Sequence, residues 1–585
     1  MAVFVDIQYG RLSPVSPMNL EKLTELAVKN RTTFVLLLGT VLFVAFIGLR
    51  DVWYPDEPDI AEVALAMYLS GDWISPRRMG VVWVDYPPMI YWIGNISAHL
   101  FDDMNAFTLR FPNALVAIVI VLLTGATAAR WFDARTGLWA AFSLMTGVLF
   151  VYEANSYRPD ILFTMFIAGC LILYTDGTLD NPRLMLRIAG FACLGGAMLS
   201  KGILGLLLPG LILVLWHGSR REWRRILELA PLSVVSIAIF LPWVVGTAQA
   251  MGWDNILYEF YAQNMARFQS GYRGHEQPFW YYLKNFWIDL MPWSWLVPAA
   301  LIWTVKSGHW KNPRVQLLLW WFGTFFVFLS LAETKRQLYM LPAFPAVILL
   351  FAPWVTVIGK TDPTQSRLTP LLPGEKPVHL YAIIAAAAFV CTGLIAISAS
   401  VFFNELIDEQ KMHHLEFEAA TLLRLPLVVL GIVLVGTGAW IGMAWRRRDT
   451  RNELQRIGAS YVLLYIVILG LVMPQLAPTK TYAPQGQWIR ETIGPDATHI
   501  GMVYPGSMGI RKRGAFGFET GGVMVDLLES AAQVESFFDR HPDSLVLVQE
   551  KSIDLIFDND EDRRRTRVQR ELWVGKTLYL VVRNR

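Results

Sequence analysis

Long apolar runs separated by short polar segments form the hydrophobic pattern of this chain. About thirteen runs are long enough to cross, or nearly cross, a hydrocarbon layer of about 30 Å as helices. They span residues 34–49, 114–129, 138–151, 161–174, 188–199, 203–216, 229–245, 288–305, 315–331, 338–357, 380–403, 425–445 and 459–473. The pattern predicts an all-α polytopic membrane protein with about 13 transmembrane helices.

The pattern changes after residue 474, where helix-like and strand-like stretches alternate. The helix-like stretches are 485–493 and 531–541, and the strand-like stretches are 499–504, 545–549 and 578–582. About 110 residues suffice for one modest hydrophobic core. We therefore predict a transmembrane domain at 1–474 and a small C-terminal α/β domain at 475–585.

Composition agrees with this assignment and excludes one class of partner. Hydrophobic residues make up 54% of the 585 residues and charged residues 17%, whereas soluble proteins carry about 25% charged residues. The formal net charge is only +3, and no basic stripe with interleaved aromatic residues lies outside the membrane-flanking loops. These features exclude nucleic acid as a partner and leave membrane lipids as the surroundings of the chain.

The positions of the basic residues predict how the chain crosses the membrane. Alternate threading of the runs places most basic loop residues on one side, which the positive-inside rule assigns to the cytoplasm. These residues are Arg130, Arg135, Arg220, Arg221, Arg224, Arg225, Lys306, Lys311, Arg314 and 446–448. The loops 51–111 and 247–285 and the C-terminal domain then face the periplasm of a bacterial inner membrane.

Candidate acids lie on the periplasmic side. Asp56 and Glu57 directly follow the first run and begin a predicted helix with one apolar stripe, which we expect to lie along the membrane surface. A carboxylate there can act as an acid or base on a lipid-linked substrate. Asp160 stands at the boundary of the fourth run. The alternative for each acid is that it only caps a helix.

Candidate cations lie on the same side. Lys335 and Arg336 stand there against the positive-inside bias, which suggests an anionic ligand such as a phosphate. Lys201 lies at the tip of a predicted hairpin between the runs 188–199 and 203–216. The alternative to phosphate binding is that Lys201 extends its side chain along the apolar surface and places its ammonium at the lipid interface.

The sequence contains only a weak signal for a metal. Asp85 and His275 have suitable side chains and lie in periplasmic loops. A zinc site normally has three or four protein ligands, so this pair is incomplete.

An ordered set of short motifs resembles a known family. The motifs are Pro55-Asp56-Glu57, the stretch 70–76, Asp160, Ser200-Lys201-Gly202, Ala266-Arg267-Phe268, the stretch 278–282 and the stretch 335–339. Together they resemble the bacterial aminoarabinose transferases of lipid A and their protein O-mannosyltransferase-like relatives, which are polyprenyl-phosphate-dependent GT-C glycosyltransferases. The resemblance extends in order over the whole membrane part.

The resemblance implies a GT-C fold with thirteen spans and an undecaprenyl-phosphate sugar as donor. It assigns the central catalytic role to Asp56, a second acid to Asp160 and a neighbouring position in the same motif to Glu57. The donor-phosphate contacts implied by the family fall on Lys201 and Tyr339, and on Arg267 or Arg273.

The resemblance also implies a metal such as Zn²⁺ shared by Asp85 and His275, although we expect no cofactor to be required for the chemistry. The chain departs from the family in one motif, because it has Asp85-Tyr86-Pro87 where the family usually has Glu-Lys-Pro. A phosphate-binding lysine of the family is therefore absent.

These observations predict a glycosyltransferase that moves a sugar from a polyprenyl phosphate to an acceptor at the periplasmic face. Lys201, Lys335, Arg336 and Arg267 would hold the phosphate, and Asp56 would orient or deprotonate the acceptor. Transfer of 4-amino-4-deoxy-L-arabinose to lipid A is one form of this prediction. The alternatives are another sugar on a different glycolipid, polysaccharide or protein, a transporter of lipid-linked sugars, and a structural subunit without chemistry.

The predicted topology can be tested with alkaline-phosphatase fusions, because this enzyme is active only after export. We expect activity for fusions after Pro478 and Asp102, and none for fusions after Arg448 and Arg221. Immunoblots of the four fusions control for their amounts. The reverse pattern would place the candidate acids in the cytoplasm and contradict the predicted use of a lipid-linked donor.

Overall fold

The structure is a computed structural model that describes residues 20–179, 182–266, 275–358, 375–402, 422–503, 508–555, 566–574 and 577–584. A large helical part precedes a smaller part that contains a β-sheet. Apolar side chains fill the interior of the helical part, and a second set fills both faces of the sheet.

In the described residues, nine helices are long and apolar enough to cross a membrane. They are Ala106–Trp131, Asp160–Leu179, Leu184–Lys201, Trp223–Met251, Pro313–Leu331, Gln337–Ile358, Glu375–Val401, Arg424–Arg446 and Thr450–Thr479. Two bent helix pairs meet the same test when each pair is counted as one span, and the described residues also include two shorter apolar helices. The pairs are Ala134–Met145 with Val148–Ala154 and Tyr281–Asp289 with Ser294–Lys306, and the short helices are Arg31–Val44 and Leu204–Ser219.

Each of the thirteen predicted runs overlaps one of these helices or pairs, which confirms the predicted fold class. The first pair bends by 68° where Gly147 has an extended backbone, and the second bends by 113°. A bent span shows a weaker helical pattern than a straight one, but its apolar composition remains visible in the sequence.

The predicted hairpin at Lys201 is present. The helix Leu184–Lys201 ends at Gly202, which adopts φ = 72° at no steric cost because it lacks a Cβ. The chain then reverses into Leu204–Ser219. The two helices pack closely, since a Cβ on Gly205 would lie 2.5 Å from the backbone of Ala197. Lys201 is thereby fixed at the turn.

Several helices lie outside these spans. They are Leu20–Lys29, Glu57–Ser70, Met89–Phe101, Trp253–Phe260, Ala483–Ile493, Met508–Glu519 and Ala531–Arg540. A two-stranded ribbon, β1 (Arg77–Arg78) and β2 (Val81–Val82), follows Glu57–Ser70. The spans Gln337–Ile358 and Thr450–Thr479 include 3₁₀ or π-helical segments.

The helix Glu57–Ser70 differs from its prediction. It was expected to lie along the membrane surface with one apolar stripe. Instead, nine of its 14 residues are buried. The helix Met508–Glu519 of the C-terminal part packs on one side and Met89–Phe101 on another. The single apolar stripe therefore underestimated how much of this helix is buried, because the sequence pattern did not show that a distant segment covers the polar side. Its position along the membrane surface stays a prediction.

The C-terminal part contains a mixed five-stranded sheet. Its strands are β3 (His499–Val503), β4 (Met524–Leu528), β5 (Leu545–Gln549), β6 (Thr566–Val574) and β7 (Thr577–Asn584). The order is β4-β3-β5-β7-β6, with β3 parallel to β4 and β5, and β7 antiparallel to β5 and β6. The prediction contained β3, β5 and β7 but missed β4 and β6, which are the two edge strands.

Candidate active site

A buried carboxylate at the start of the helix Glu57–Ser70 organises the surrounding chain. Glu57 is 2% exposed. Its two oxygens accept hydrogen bonds from Arg50 and Arg110 at 2.7–2.9 Å and from the backbone N–H groups of Trp53 and Tyr157 at 2.8 Å. Burial alone would raise the pKa of Glu57, but the charges of Arg110 and Arg50 outweigh it and hold the pKa well below its usual value.

Arg110 extends this network to the preceding span. Its side chain is completely buried and also donates hydrogen bonds to the carbonyl oxygens of Ile47, Arg50 and Asp51 at 2.7–2.8 Å. Arg50 donates to the carbonyl of Asn155 at 2.9 Å. Three segments distant in sequence therefore meet at one ion-paired group. This arrangement does not fit the predicted catalytic role of Glu57, because its oxygens are already occupied and buried.

Asp56, one residue earlier, has different surroundings. It occupies the N-cap position, yet within the described chain its side chain makes no capping hydrogen bond. Its Oδ2 instead accepts from Arg158 at 2.8 Å and from Arg336 at 2.5 Å, and the side chain is 21% exposed. The capping alternative therefore does not describe Asp56. It is a partly accessible carboxylate held by two guanidinium groups.

Both arginines remain charged in this position. Burial would lower the pKa of Arg336, but the carboxylate of Asp56 outweighs it and raises the pKa. Burial has the same effect on Arg158, where Glu153 and Asp56 raise the pKa. Arg158 joins these two acids, since its Nη1 lies 3.0 Å from Oε1 of Glu153. The pairing with both guanidinium groups orients the Asp56 side chain.

The second predicted acid lies in contact with a predicted cation. Lys201 donates a hydrogen bond to the carboxylate of Asp160, which is the first residue of the helix Asp160–Leu179. The Lys201 ammonium also lies 4.9 Å from the ring centre of Tyr339 and 5.6 Å from that of Phe163. The structure thus brings together three residues that the sequence placed in separate loops.

A large cleft opens beside Lys201. Its cavity volume is about 320 Å³, and it is lined mainly by apolar side chains. The polar and charged residues of the lining are Asp85, Tyr86, Lys201, Glu259, Thr334 and Tyr339. The apolar lining includes Val84, Phe163, Leu204, Leu207, Leu208, Trp243, Ile256, Phe260, Phe325, Phe328 and Leu329.

Tyr86 lies near both charged pairs of the site, which are Asp56 with Arg336 and Asp160 with Lys201. Burial and the nearby charge of Asp85 raise its pKa well above the usual value, and it lies close enough to interact electrostatically with Arg336 and Asp160. The phenol therefore stays neutral and offers an O–H donor. It occupies the motif position where the family usually has a lysine.

Lys335 does not fit its predicted role in phosphate binding. Lys335 is only 4% exposed. Its Nζ donates hydrogen bonds to the carbonyl oxygens of Ala332 and of Gln277, the latter at 2.7 Å. The Lys335 backbone N–H also bonds the carbonyl of His275 at 3.0 Å. These contacts tie the loop before Tyr281–Asp289 to the end of Pro313–Leu331. These backbone contacts account for the presence of Lys335 in this loop without a bound phosphate.

The remaining predicted ligands stay predictions. Arg267 and Arg273 lie outside the described residues. Asp85 lines the cleft, and His275 has φ = 69° at the edge of its loop. Among the residues that the structure describes, neither belongs to a group of three or more His, Cys, Asp or Glu side chains that could hold a metal ion.

Four charged residues of this region were not predicted, namely Arg50, Arg110, Glu153 and Arg158. Each is a charged residue within a few positions of an apolar run. Ionisable residues at such places are costly unless paired, so they are functional candidates by default. That signal could have identified them, but their partners lie too far away in sequence to be inferred.

Residues 85–245 match the family described as dolichyl-phosphate-mannose-protein mannosyltransferase. The chain is 32% identical over 352 residues to an undecaprenyl phosphate-α-4-amino-4-deoxy-L-arabinose arabinosyl transferase of Pectobacterium carotovorum, covering 58% of this chain and 61% of that relative. A transferase of the same name from Edwardsiella ictaluri is 33% identical over 334 residues, covering 55% and 59%. The chain thus spans about three fifths of the length of these curated relatives.

The crystal structure of ArnT from Cupriavidus metallidurans bound to undecaprenyl phosphate superposes with a TM-score of 0.73. It shares 18% sequence identity, and the match covers 94% of this chain and 98% of that one. The resemblance inferred from the motifs is confirmed. The fold is the predicted GT-C type, with a small C-terminal sheet domain.

The buried position of Glu57 predicts that its replacement affects folding. Glu57→Gln leaves two buried arginines without their carboxylate, which typically costs about 3–5 kcal/mol. We expect a strongly lowered thermal unfolding midpoint, or loss of monodisperse protein in detergent. Asp56→Asn is the matched control and should fold normally because its side chain is partly exposed. Equal thermal stability of the Glu57→Gln protein and the wild type would contradict the structural role.

Proposed function

We propose that this protein transfers a sugar from a polyprenyl phosphate to an acceptor at the periplasmic face of a bacterial inner membrane. One observation carries the proposal. Lys201 and Tyr339 line a mainly apolar cleft. Tyr86 belongs to the same lining and lies near Asp160, the partner of Lys201, and near Arg336, the partner of Asp56. An apolar chain, a phosphate and a reactive carboxylate can therefore meet in one place.

The cleft suits a lipid phosphate. Its apolar side chains can contact an isoprenoid chain, and Lys201 in the lining of the cleft can bind the phosphate. Charge-assisted hydrogen bonds to a phosphate contribute on the order of 1.5–3 kcal/mol each. We propose that the phosphate shares Lys201 with Asp160 and accepts a hydrogen bond from Tyr86. Tyr339 packs against the ammonium and fixes its position.

The proposed reaction is a displacement at the anomeric carbon of the sugar. An oxygen of the acceptor forms the new bond, and the bond between that carbon and the phosphate oxygen breaks. The electron pair leaves with the polyprenyl phosphate, whose charge Lys201 and Arg336 balance. A hydroxyl acceptor gives its proton to Asp56. A phosphate acceptor is already anionic, and Asp56 then acts by positioning. In this proposal the chemistry requires no cofactor.

The names of the relatives support a finer proposal for the substrates. They are transferases of 4-amino-4-deoxy-L-arabinose from undecaprenyl phosphate, and we propose the same donor, with lipid A as acceptor. One feature favours a different sugar or acceptor, because Tyr86 stands where the family usually has a phosphate-binding lysine. Mass spectrometry of lipid A and surface glycans from a deletion strain tests it. Loss of a different sugar from another glycolipid, polysaccharide or protein would contradict the finer proposal alone.

We also propose that 1–474 form the transmembrane domain and that 475–585 form an exported domain. The contacts between Met508–Glu519 and Glu57–Ser70 support this placement, because they put the C-terminal part on the same side as Asp56. The transporter alternative would place charged groups near the midplane of the membrane. Here Asp56, Asp160 and Lys201 all lie at the ends of apolar segments, which favours an enzyme at one face.

Asp56→Asn tests the role of the carboxylate. We expect turnover to fall by about two orders of magnitude or more, the usual contribution of a positioned acid or base. Asp59→Asn is a matched control, because Asp59 lies on the helix Glu57–Ser70, close to Asp56 in the sequence. Its side chain is 20% exposed and also pairs with an arginine, Arg78, at 2.5 Å. Both variants should elute as monodisperse protein, and Asp59→Asn should keep most of its turnover. Near-normal turnover of Asp56→Asn would contradict the assignment.

Lys201→Ala tests the phosphate site. We expect donor use, measured as kcat/KM for the polyprenyl-phosphate sugar, to fall about ten- to a hundredfold. Lys335→Ala is the comparison, because its ammonium bonds backbone carbonyls. It should lower the thermal unfolding midpoint and leave kcat/KM of the folded protein nearly unchanged. Normal donor use by Lys201→Ala would show that the phosphate binds elsewhere.

A further inference from the structure

A cluster of metal-ligand side chains lies on the C-terminal sheet. His499 begins β3, Asp526 lies in β4 and His541 directly follows the helix Ala531–Arg540. One potential ligand atom of each residue lies within 4.8 Å of those of the other two. It is the one such group among the residues described by the structure.

The fold brings the first two side chains onto one face of the sheet. In the parallel pair β3–β4, His499 lies opposite Met524 and Gly501 lies opposite Asp526. Side chains two residues apart along a strand share a face, so His499 and Asp526 are diagonal neighbours. Their contact is direct, since Nδ1 of His499 lies 2.9 Å from Oδ2 of Asp526.

The third side chain is held against the same face. The helix Ala531–Arg540 ends where the N–H of His541 donates to the carbonyl of Phe537 at 2.8 Å. The imidazole of His541 then stacks on that of His499, with ring centres 4.5 Å apart and planes inclined by 22°. Two imidazoles and a carboxylate thereby meet from three separate elements.

Ser544 fixes the backbones of both histidines. Its hydroxyl donates to the carbonyl of His499 at 2.9 Å, and its N–H donates to the carbonyl of His541 at 3.1 Å. Arg540 adds a positive charge nearby, but its Nε donates back along its own helix to the carbonyl of Ser536 at 3.1 Å. The cluster therefore has a supported backbone, which limits the ordering cost of ligand binding.

Imidazole nitrogen and carboxylate oxygen are ligands that Zn²⁺ prefers. Zinc bonds of about 2.0–2.1 Å in a tetrahedral site place ligand atoms about 3.3 Å apart. The potential ligand atoms lie within 4.8 Å of one another. Side-chain rotations that move these atoms by about 1 Å bring them to that spacing. The side chains of His499 and Asp526 are 31% and 36% exposed, so an ion can enter from solvent and retain water as a further ligand.

This cluster is separate from the candidate active site. Val503 and Leu528 share its face of the sheet and pack with Phe537. The opposite face packs against Phe516 of Met508–Glu519, the helix that contacts Glu57–Ser70. The sheet therefore lies between the cluster and the cleft.

We infer that His499, Asp526 and His541 form a binding site for a divalent transition-metal ion of the Zn²⁺ type. The ion links β3, β4 and the end of Ala531–Arg540 and stabilises the C-terminal domain. It takes no part in the proposed transfer reaction, so the inference does not depend on the proposed function.

The test uses the full-length protein, purified in detergent, stripped of metal and titrated with Zn²⁺ and Co²⁺. All forms carry Asp85→Ala, so that a metal at Asp85 and His275 cannot contribute. We expect one equivalent of Zn²⁺, a higher thermal unfolding midpoint with Zn²⁺, and a visible Co²⁺ absorption band. His541→Ala and Asp526→Asn should each weaken Zn²⁺ binding at least tenfold. The exposed Asp539, changed by Asp539→Asn, is the matched control and should bind normally.

Two results would overturn the inference. One is the absence of a stoichiometric Zn²⁺ site in a protein whose unfolding midpoint shows that it is folded. The other is unchanged Zn²⁺ affinity in both His541→Ala and Asp526→Asn, which would place the ion elsewhere. If one of these variants unfolds, the Zn²⁺ affinity is measured instead on His541→Gln, whose side chain has a similar reach. Unchanged Zn²⁺ binding by His541→Gln counts equally against the site.

Discussion

The buried ion network of Glu57, Arg50 and Arg110 is the interaction on which the rest of the site depends. A charged carboxylate in low-dielectric surroundings is stable only when partners compensate its desolvation. Here two guanidinium groups and two backbone N–H groups supply that compensation. Because these donors come from the segment after the first span, from the second span and from the loop before Asp160, the network fixes the positions of these three segments relative to the start of the helix Glu57–Ser70.

This constraint explains why two adjacent acids differ in role. Glu57 points into the protein and holds the helix start in place, which leaves Asp56 pointing toward Arg158 and Arg336. The C-terminal part adds a second restraint, since Arg513 donates to the carbonyl of Met79 at 3.0 Å and Met508–Glu519 covers Glu57–Ser70. The helix Glu57–Ser70, which follows Asp56, is therefore held both by the Glu57 network and by the C-terminal part, and supporting contacts of this kind maintain a preorganised site.

The sequence predicted the spans well, because a bilayer requires long apolar segments whatever the fold. It also singled out Asp56, Asp160 and Lys201 as candidates, which stand at the ends of such segments and whose roles stay predictions. It did not indicate that Glu57 and Lys335 are buried among bonding partners, because burial depends on which distant segments pack over a residue. The pairing of Asp56 with Arg336 joins positions 280 residues apart, and no local pattern indicates a partner at that distance. The extent to which the helix Glu57–Ser70 is buried was missed for the same reason.

The central claim is that a sugar leaves its lipid phosphate at the site formed by Asp56 and Lys201. The most direct measurement reconstitutes the purified protein in liposomes with a polyprenyl phosphate that carries a radiolabelled sugar, with lipid A and cell-envelope glycans as acceptors. The account predicts label on an acceptor and release of one polyprenyl phosphate for each sugar transferred. Label that crosses the bilayer while still attached to the polyprenyl phosphate would contradict the account and show a transporter.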